Sequence, residues 1–239
     1  MTSPAALATA SLARHPFLAG ATTDVLARMA GYARFFDADP DQMIIDFEDA
    51  TTDVYFIMQG HVRVLIQTAN GERTQILGDF AAGDLVGEMA AIDGVARSAR
   101  IEALVRTQVC ALPARHFIDA AFASREIGLR LMRVLTSRIR GQNRRLLEFT
   151  ALPIRLRLAA ELLRLSRPKP DGTRVLNPMP TQEELASRIG ARRETVSREL
   201  SSMTEAGELH RTRVSLILHD PVMLQRAVDA GLEQPRDRG

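Results

Sequence analysis

The residue types best suited to bind a ligand lie in one short segment, Gly87 to Ser98, of this 239-residue chain. Glu88 and Arg97 place a carboxylate and a guanidinium nine residues apart, and Ser98 adds a hydroxyl. A buried arginine needs an anion, and a phosphate diester suits it. Glu88 repels phosphate, so we expect it to accept a hydrogen bond from a sugar hydroxyl, while Ser98 donates to a phosphate oxygen. The spacing alone is also compatible with an internal Arg97–Glu88 salt bridge and no ligand.

The segment from Thr181 to Ala206 has the pattern of a helix-turn-helix. Thr181-Gln182-Glu183-Glu184 is a capping box, with a glutamate three residues after the hydroxyl that caps the helix. Gly190 permits the left-handed backbone of a tight turn, and a second helix is predicted from about Arg192 to Ala206. The predicted buried faces are Leu185, Ala186 and Ile189 on the first helix, and Val196, Leu200 and Met203 on the second.

The opposite face of the second helix carries residue types that read DNA bases: Arg192, Arg193, Glu194, Ser197 and Arg198. Arginine binds guanine through a bidentate fork, and glutamate accepts a hydrogen bond from cytosine. In a helix-turn-helix the first turn of the second helix meets the major groove. The alternative is a solvated helix with a Glu194–Arg198 pair. The cap, the glycine turn and the apolar stripe in register favour DNA binding.

Short strands are predicted to position Glu88 and Arg97. Alternating or β-branched runs broken by turn residues fill the segment from about residue 30 to 113, as in a sandwich or barrel. The clearest strands are 54–58 and 62–66, followed by the hairpin signal Asn70-Gly71 and a returning strand at 74–77. A further strand begins at Leu85, and Ile101 to Leu112 suggests two more.

Residues 114–150 are predicted to be helical. From Gly128 onward one seam steps by four and three: Gly128, Met132, Leu135, Ile139, Gln142, Leu146 and Phe149. This heptad stripe favours self-dimerisation over packing within one chain, and a polar residue such as Gln142 fixes register or touches a ligand. Six arginines lie mostly off the seam: Arg130, Arg133, Arg138, Arg140, Arg144 and Arg145.

After this helix, Pro153 begins a small helical domain, with a helix from Ile154 to Leu165, a loop from Arg167 to Gly172 and a strand from Val214 to Leu218. A helix with Leu224, Val228 and Leu232 on one face follows Pro221. The predicted domains are a sensor (1–124), a dimerisation helix (125–150) and a DNA-binding domain (151–239).

Charge and composition narrow the class of protein. Residues 1–124 carry net charge −6, whereas residues 125–150 carry +5 and residues 151–239 carry +3, which suggests a polyanion partner for the second half. The single cysteine, Cys110, excludes an internal disulfide, a four-thiolate zinc site and an iron–sulfur cluster. We expect a cytoplasmic protein without a membrane span, a metal site or a catalytic set of residues.

The chain resembles the Crp/Fnr family of bacterial regulators from about Phe35 to His219. Gly87-Glu88 through Arg97-Ser98 is similar to that family's phosphate-binding cassette, and Arg193-Glu194-Thr195-Val196-Ser197-Arg198 is similar to its recognition helix. The resemblance implies an α+β fold: a β-roll or jelly-roll cyclic-nucleotide-binding domain, a long dimerisation helix and a C-terminal winged helix-turn-helix. It assigns Glu88 to the ribose and Arg97 with Ser98 to the cyclic phosphate, with Gly87, Met89 and Ala90 as backbone neighbours.

The resemblance also implies a function: a homodimeric, non-enzymatic transcription regulator with no prosthetic group that responds to cyclic AMP (cAMP). DNA with palindromic TGTGA-like half-sites is the implied partner, and RNA polymerase is a second one, through the loop from Arg167 to Asn177. Gln142-Asn143 stands where the family's cAMP regulators have Thr-Ser against the base, so cyclic GMP (cGMP) stays open. A regulator with another ligand, or with constitutive DNA binding, is the alternative; a haem sensor would need a ligand such as Met58, His61 or His116.

Overall fold

Short antiparallel strands build the first half of the chain, as predicted. Within residues 4–67 and 74–233, which the computed structural model describes, the strands of this half are β1 (Arg34–Ala38), β2 (Met43–Ile45), β3 (Val54–Gln59), β4 (His61–Gln67), β5 (Thr74–Ala81), β6 (Leu85–Val86), β7 (Arg100–Ala103) and β8 (Thr107–Leu112). They form two four-stranded sheets, in the orders β1-β8-β3-β6 and β2-β7-β4-β5. The predicted hairpin turn at Asn70-Gly71 lies outside the described residues.

Strand β3 is apolar on both faces because both faces are covered. Tyr55 and Ile57 pack between the two sheets. Val54 and Phe56 face a second core, which helices cover from outside. These helices are α1 (Pro4–Ala13), a 3-10 turn (Pro16–Leu18), α2 (Thr23–Ala30), α4 (Ala114–Ala123) and the start of α5 (Arg125–Ala151), while α3 (Glu88–Asp93) follows β6.

The predicted single helical stretch is in fact two helices, α4 and α5, which separate at Ser124. This residue has an extended backbone, and its hydroxyl oxygen accepts a hydrogen bond from the Ile127 N–H at 3.4 Å. A Cβ on Gly128 would lie 2.9 Å from the Ala121 carbonyl oxygen, so Gly128 packs against α4 rather than forming part of an open seam. Met132, Ile139 and Leu146, each seven residues from the next, are 61–63% exposed.

The second half contains α6 (Ile154–Leu165), β9 (Arg167–Pro168), β10 (Arg174–Leu176), α7 (Gln182–Ile189), α8 (Arg193–Glu205), β11 (Leu209–Arg211), β12 (Leu216–Leu218) and α9 (Pro221–Glu233). Its strands form one antiparallel sheet in the order β11-β12-β10-β9 beside the helix-turn-helix. This arrangement confirms the predicted α+β class and the winged helix-turn-helix.

Two details of the second half differ from the prediction. The loop predicted from Arg167 contains β9, because residues 167–168 pair with β10. The strand predicted from Val214 begins at Leu216, since Thr212 and Ser215 close a turn before it. The chain divides into two compact units, Met1–Arg138 and Ile139–Gly239, so the boundary between them falls within α5. None of the described helices is long and apolar enough to cross a membrane.

Candidate nucleotide pocket and DNA-binding surface

The cassette begins at Gly87, which caps α3 with a left-handed backbone of φ 83°. A Cβ at this position would lie 2.8 Å from the Arg97 Nη1 atom and 2.9 Å from the Asp53 carbonyl oxygen. Only glycine therefore fits, both for its φ and for the close approach of Arg97. The missing side chain of Gly87 therefore leaves the space that the Arg97 guanidinium occupies.

Arg97 is buried, with 3% of the residue exposed, and is held by neutral groups. Its Nη1 donates to the Gly87 carbonyl at 2.9 Å, its Nη2 to the Asp53 carbonyl at 2.8 Å, and its Nε to Thr51 Oγ1 at 3.2 Å. No carboxylate of the described residues lies within 4.0 Å of this guanidinium. Two of its five N–H groups have no acceptor in the part of the chain that is described.

Tyr55 does not balance this charge. The Arg97 Cζ atom lies 5.7 Å from the centre of the Tyr55 ring, a favourable cation–π contact. Burial raises the pKa of the Tyr55 phenol, with the Arg97 charge opposing the shift, so the phenol stays neutral. Arg97 is thus a buried cation with solvating dipoles but no counter-ion from the described residues.

Glu88 has a different environment, although it lies next to Gly87. It is 2% exposed, and its Oε1 accepts a hydrogen bond from Arg138 Nη1 at 2.5 Å. Arg138 also donates to the Leu85 carbonyl at 2.6 Å and lies over the Phe80 ring. The internal Arg97–Glu88 salt bridge, left open by the spacing, is not formed. The contact between Arg138 and Glu88 is one that the sequence pattern did not identify.

The other cassette residues differ in exposure. Ser98 is exposed, and its Oγ lies 3.8 Å from the Met89 Sδ atom. Met89 is 52% exposed and Ala90 is buried. Ser98 therefore has a hydroxyl open to solvent, directly after the buried Arg97 in sequence.

The helix-turn-helix matches its sequence pattern closely. Thr181 Oγ1 accepts from the Glu184 N–H at 3.1 Å, and Glu184 Oε2 accepts from the Thr181 N–H at 2.8 Å, so the capping box is complete. Gly190 has φ 62°. The predicted stripe of Val196, Leu200 and Met203 is fully buried.

The opposite face of α8 presents Arg192, Arg193, Glu194 and Arg198 to solvent, with Ser197 half-buried. Within the described chain no ion pair joins Glu194 to Arg198, so the alternative of a paired, solvated face is not what forms. Arg192 is the N-cap and Arg193 the first residue of the helix, where the helix dipole disfavours cations. Their charge is therefore available for an anion.

Two family models match the chain: the cyclic nucleotide-binding domain over residues 36–124, and the Crp-like helix-turn-helix domain over residues 156–227. A cyclic AMP receptor protein of Thermus thermophilus is 31% identical over 156 residues, which cover 64% of this chain and 69% of that protein. The chain belongs to the Crp/Fnr family of transcription regulators.

Further relatives agree with this assignment. The cAMP-activated global transcriptional regulator Vfr of Pseudomonas aeruginosa is 29% identical over 176 residues, 70% of this chain and 80% of Vfr. The structure of a CooA mutant from Carboxydothermus hydrogenoformans matches with a TM-score of 0.72 at 22% identity, covering 83% of this chain and 88% of that one. The structure of FixK2 from Bradyrhizobium japonicum matches with a TM-score of 0.69 at 23% identity, covering 81% of this chain and 96% of the FixK2 chain. These two structures support the fold.

In this Crp/Fnr regulator the predicted base-contacting pair, Gln142 and Asn143, lies on an exposed part of α5, in the second compact unit. Both side chains are open to solvent, so both amides are available to donate and accept. Their contact with a nucleotide stays a prediction.

The side chains considered for haem ligation have other surroundings. Met58 packs against the outer core, His61 is an exposed residue at the start of β4, and His116 stacks on Tyr32 with ring centres 3.5 Å apart. Burial raises the pKa of the Cys110 thiol to about 12, which makes it a poor metal ligand or nucleophile.

Proposed function

We propose that this Crp/Fnr regulator is a homodimer that binds cAMP at Arg97 and, when loaded, binds palindromic DNA through α8. The observation that carries the proposal is the buried Arg97 without a carboxylate partner. An uncompensated buried charge costs several kcal/mol, on the order of 3–5 kcal/mol when a partner is removed. A group in this condition points to an anionic ligand.

A cyclic phosphate suits this site in charge and hydrogen bonding. It carries one negative charge, and its two free oxygens can accept hydrogen bonds from the two Arg97 N–H groups that have no described acceptor. The exposed Ser98 hydroxyl, next in sequence, is available to donate to the same phosphate.

Glu88 would then accept a hydrogen bond from the ribose 2′-hydroxyl. Arg138 neutralises the Glu88 carboxylate at 2.5 Å, so a phosphate nearby meets less repulsion. Because Glu88 has two oxygens and only Oε1 bonds Arg138, the other oxygen is available for the sugar. Arg138 acts here as a positioning residue for Glu88.

Gln142 and Asn143 are proposed to contact the base. Each amide can pair with the edge of adenine or of guanine. We place cAMP first, since the relatives named above include the cAMP-activated regulator Vfr and a cyclic AMP receptor protein. cGMP is the alternative nucleotide, because the Ser98 hydroxyl could also touch guanine in its syn form.

The exposed stripe on α5 supports the dimer. Met132, Ile139 and Leu146 repeat every seven residues, which is the spacing of a two-stranded coiled coil. Burial of three large apolar side chains contributes about 1.5–3 kcal/mol each. In such a dimer the two copies of α8 would need to lie about 34 Å apart to meet successive turns of the DNA major groove.

DNA recognition is assigned to Arg193, Glu194 and Arg198, with Arg192, Ser197 and Thr181 as supporting contacts to the DNA. The arginine guanidinium groups suit the guanines of TGTGA-like half-sites, and the Glu194 carboxylate suits a cytosine. The hairpin from Arg167 to Asn177 is proposed to contact RNA polymerase. We propose two arrangements of α5, of which one binds DNA. Nucleotide binding shifts the equilibrium between them only if Gln142 or Asn143 contacts the nucleotide differently in the two.

A second candidate function is a Crp/Fnr regulator that responds to a different ligand. It is favoured by the contacts that Arg97 and Glu88 already make with Gly87, Asp53 and Arg138. Structural neighbours include a global regulator described as responsive to c-di-GMP, which is 19% identical with a TM-score of 0.68.

Calorimetric titration with cAMP and, in parallel, cGMP tests the proposal. We expect one nucleotide to bind each chain, and Arg97→Gln to weaken binding by at least about tenfold, since a charge-assisted hydrogen bond contributes roughly 1.5–3 kcal/mol. Arg115→Gln, at an exposed arginine of the same unit, is the matched control and should bind as the wild type does. Absence of heat with either nucleotide would favour the second candidate.

A further inference from the structure

A groove within the second unit has the composition of a second ligand site. It lies between the end of α5, helix α6, the β9–β10 hairpin and the start of α9, and its volume is about 690 Å³. Pockets of about 300–1,000 Å³ hold small organic molecules. Five basic residues line it: Arg144, Arg164, Lys169, Arg174 and Arg226.

Three of the five basic residues already have acidic partners. Arg164 donates to both oxygens of Glu148, the one acidic residue that lines the groove, at 2.8 and 2.7 Å. Lys169 pairs with Asp171 at 3.0 Å. Arg144 lies 3.3 Å from Glu148 and 3.8 Å from Asp229. The Glu148 carboxylate is therefore paired with two arginines, Arg164 and Arg144, and repels an incoming anion only weakly.

Arg174 and Arg226 are not balanced in this way. No carboxylate of the described residues lies within 4.0 Å of either one. Arg174 Nε donates to Ser166 Oγ at 2.8 Å and its Nη2 to the Ser166 carbonyl at 2.5 Å, which fixes the guanidinium. Its Nη1 has no acceptor among these residues, and Arg226 is exposed on α9. The groove thus has one oriented cation, Arg174, and one exposed cation, Arg226, and neither has a counter-charge among the described residues.

Apolar side chains form most of the remaining wall. Leu163, Pro168, Val222 and Val228 belong to three different elements that meet here, α6, β9 and α9. An inorganic ion would leave this apolar surface in water. A ligand with an anionic head and an apolar body would cover it and pair with the arginines.

We propose that this groove binds a small organic anion with an aromatic or aliphatic body, as an effector site separate from Arg97. The anionic head is placed at Arg174 and Arg226, and the body on the surface of Leu163 and Val222. Such a ligand would connect α9 and the hairpin to α6, which packs in the same core as α8. The site goes beyond the nucleotide pocket and does not depend on it.

Fluorescence titration with anilinonaphthalene sulfonate tests the site, because this probe combines a sulfonate with aromatic rings. We expect saturable binding of one probe per chain that persists in excess cAMP. Phenylnaphthylamine, which has the same rings without the sulfonate, should bind at least about tenfold more weakly, as expected for loss of a charge-assisted bond.

Matched variants locate the probe. Arg226→Glu should weaken binding by about fivefold and Arg174→Gln by about tenfold, since each removes a cation that faces the sulfonate. Arg213→Glu makes the same charge change at an exposed arginine outside the groove and should leave binding unchanged. Arg226 is exposed and has no described ion pair, so its variant tests the site even if Arg174→Gln fails to fold.

Three results would overturn the proposal. The first is absence of saturable binding by the wild type. The second is loss of binding in excess cAMP, which would assign the probe to the nucleotide pocket. The third is equal binding by Arg226→Glu and Arg213→Glu, which would show that the groove does not hold the sulfonate.

Discussion

Arg97 in the first unit and Arg188 in the second are buried to nearly the same degree, with 3% and 4% of each residue exposed. Their partners differ. Arg188 Nη1 lies 3.5 Å from Glu161, a carboxylate that Arg145 and Arg164 also approach. Arg97 has two carbonyls and a hydroxyl. Burial of an arginine alone therefore does not indicate a ligand site, whereas burial without a counter-charge does.

The buried charges around Glu161 in the second unit are paired with one another. Glu161 is 1% exposed and connects α5, α6 and α7 through three arginines. Burial lowers the pKa of Arg145, and Glu161 opposes that shift. Burial also opposes the charge of Arg164, but Glu161 and Glu148 together raise its pKa. This network needs no ligand and holds the first helix of the helix-turn-helix in place.

The largest expected effect comes from Glu161→Gln, which would give the second unit the same lack of counter-charge that Arg97 has. We expect the free energy of unfolding to fall by about 3–5 kcal/mol, because buried arginines lose their shared carboxylate. Urea denaturation measures this loss. Glu205→Gln, at an exposed glutamate of α8, is the control. Coincident unfolding curves for the two variants would contradict the comparison.

Nucleotide binding should stabilise the protein mainly through the contacts of the phosphate with Arg97 in the first unit. At a cAMP concentration of about one hundred times Kd, the free energy of unfolding should rise by about 2.7 kcal/mol. We expect Arg97→Gln to lose at least about half of this increase at the same cAMP concentration, because the phosphate loses its cation and binding weakens by at least about tenfold. Glu161→Gln should keep it, although it starts from a lower stability. An increase that is lost in both variants would show that the two units respond to nucleotide as one.

An exposed arginine needs no carboxylate partner, because water solvates its charge until DNA binds. Arg193→Ala should reduce affinity for a palindromic TGTGA site by about 1–3 kcal/mol and relax discrimination at one base pair. Competition binding with sites altered at single positions measures this change. Arg211→Ala, at an exposed arginine outside α8, provides a control for loss of charge. Full discrimination by Arg193→Ala would refute the assignment of this base reader.

Features whose determinants lie within a few residues could be predicted from the sequence. The capping box needs only Thr181 and Glu184, and the turn after it needs only Gly190. The stripe of Val196, Leu200 and Met203 follows from helical periodicity. These local rules were sufficient for the helix-turn-helix and for most strands.

Long-range partners could not be predicted in this way. Glu88 and Arg138 are fifty residues apart, and the heptad pattern shows that Arg138 lies off the seam without indicating which carboxylate it meets. The acceptors of Arg97 are mainly backbone carbonyls, which leave no signal in the residue types. For the same reason the sharing of Glu161 by three arginines becomes visible only once α5, α6 and α7 are packed together.

The smallest expected effect tests whether the stability cost of removing an arginine's carboxylate partner depends on burial. Arg115 and Asp119 form an i,i+4 pair on α4 at 4.0 Å, with side chains 85% and 68% exposed. We expect Asp119→Asn to change the free energy of unfolding by less than about 0.5 kcal/mol, because water screens both charges. Urea denaturation in low and high salt measures it. A loss as large as that of Glu161→Gln would mean that an arginine's missing carboxylate matters even at the surface, and the uncompensated charge of Arg97 would then no longer distinguish a ligand site.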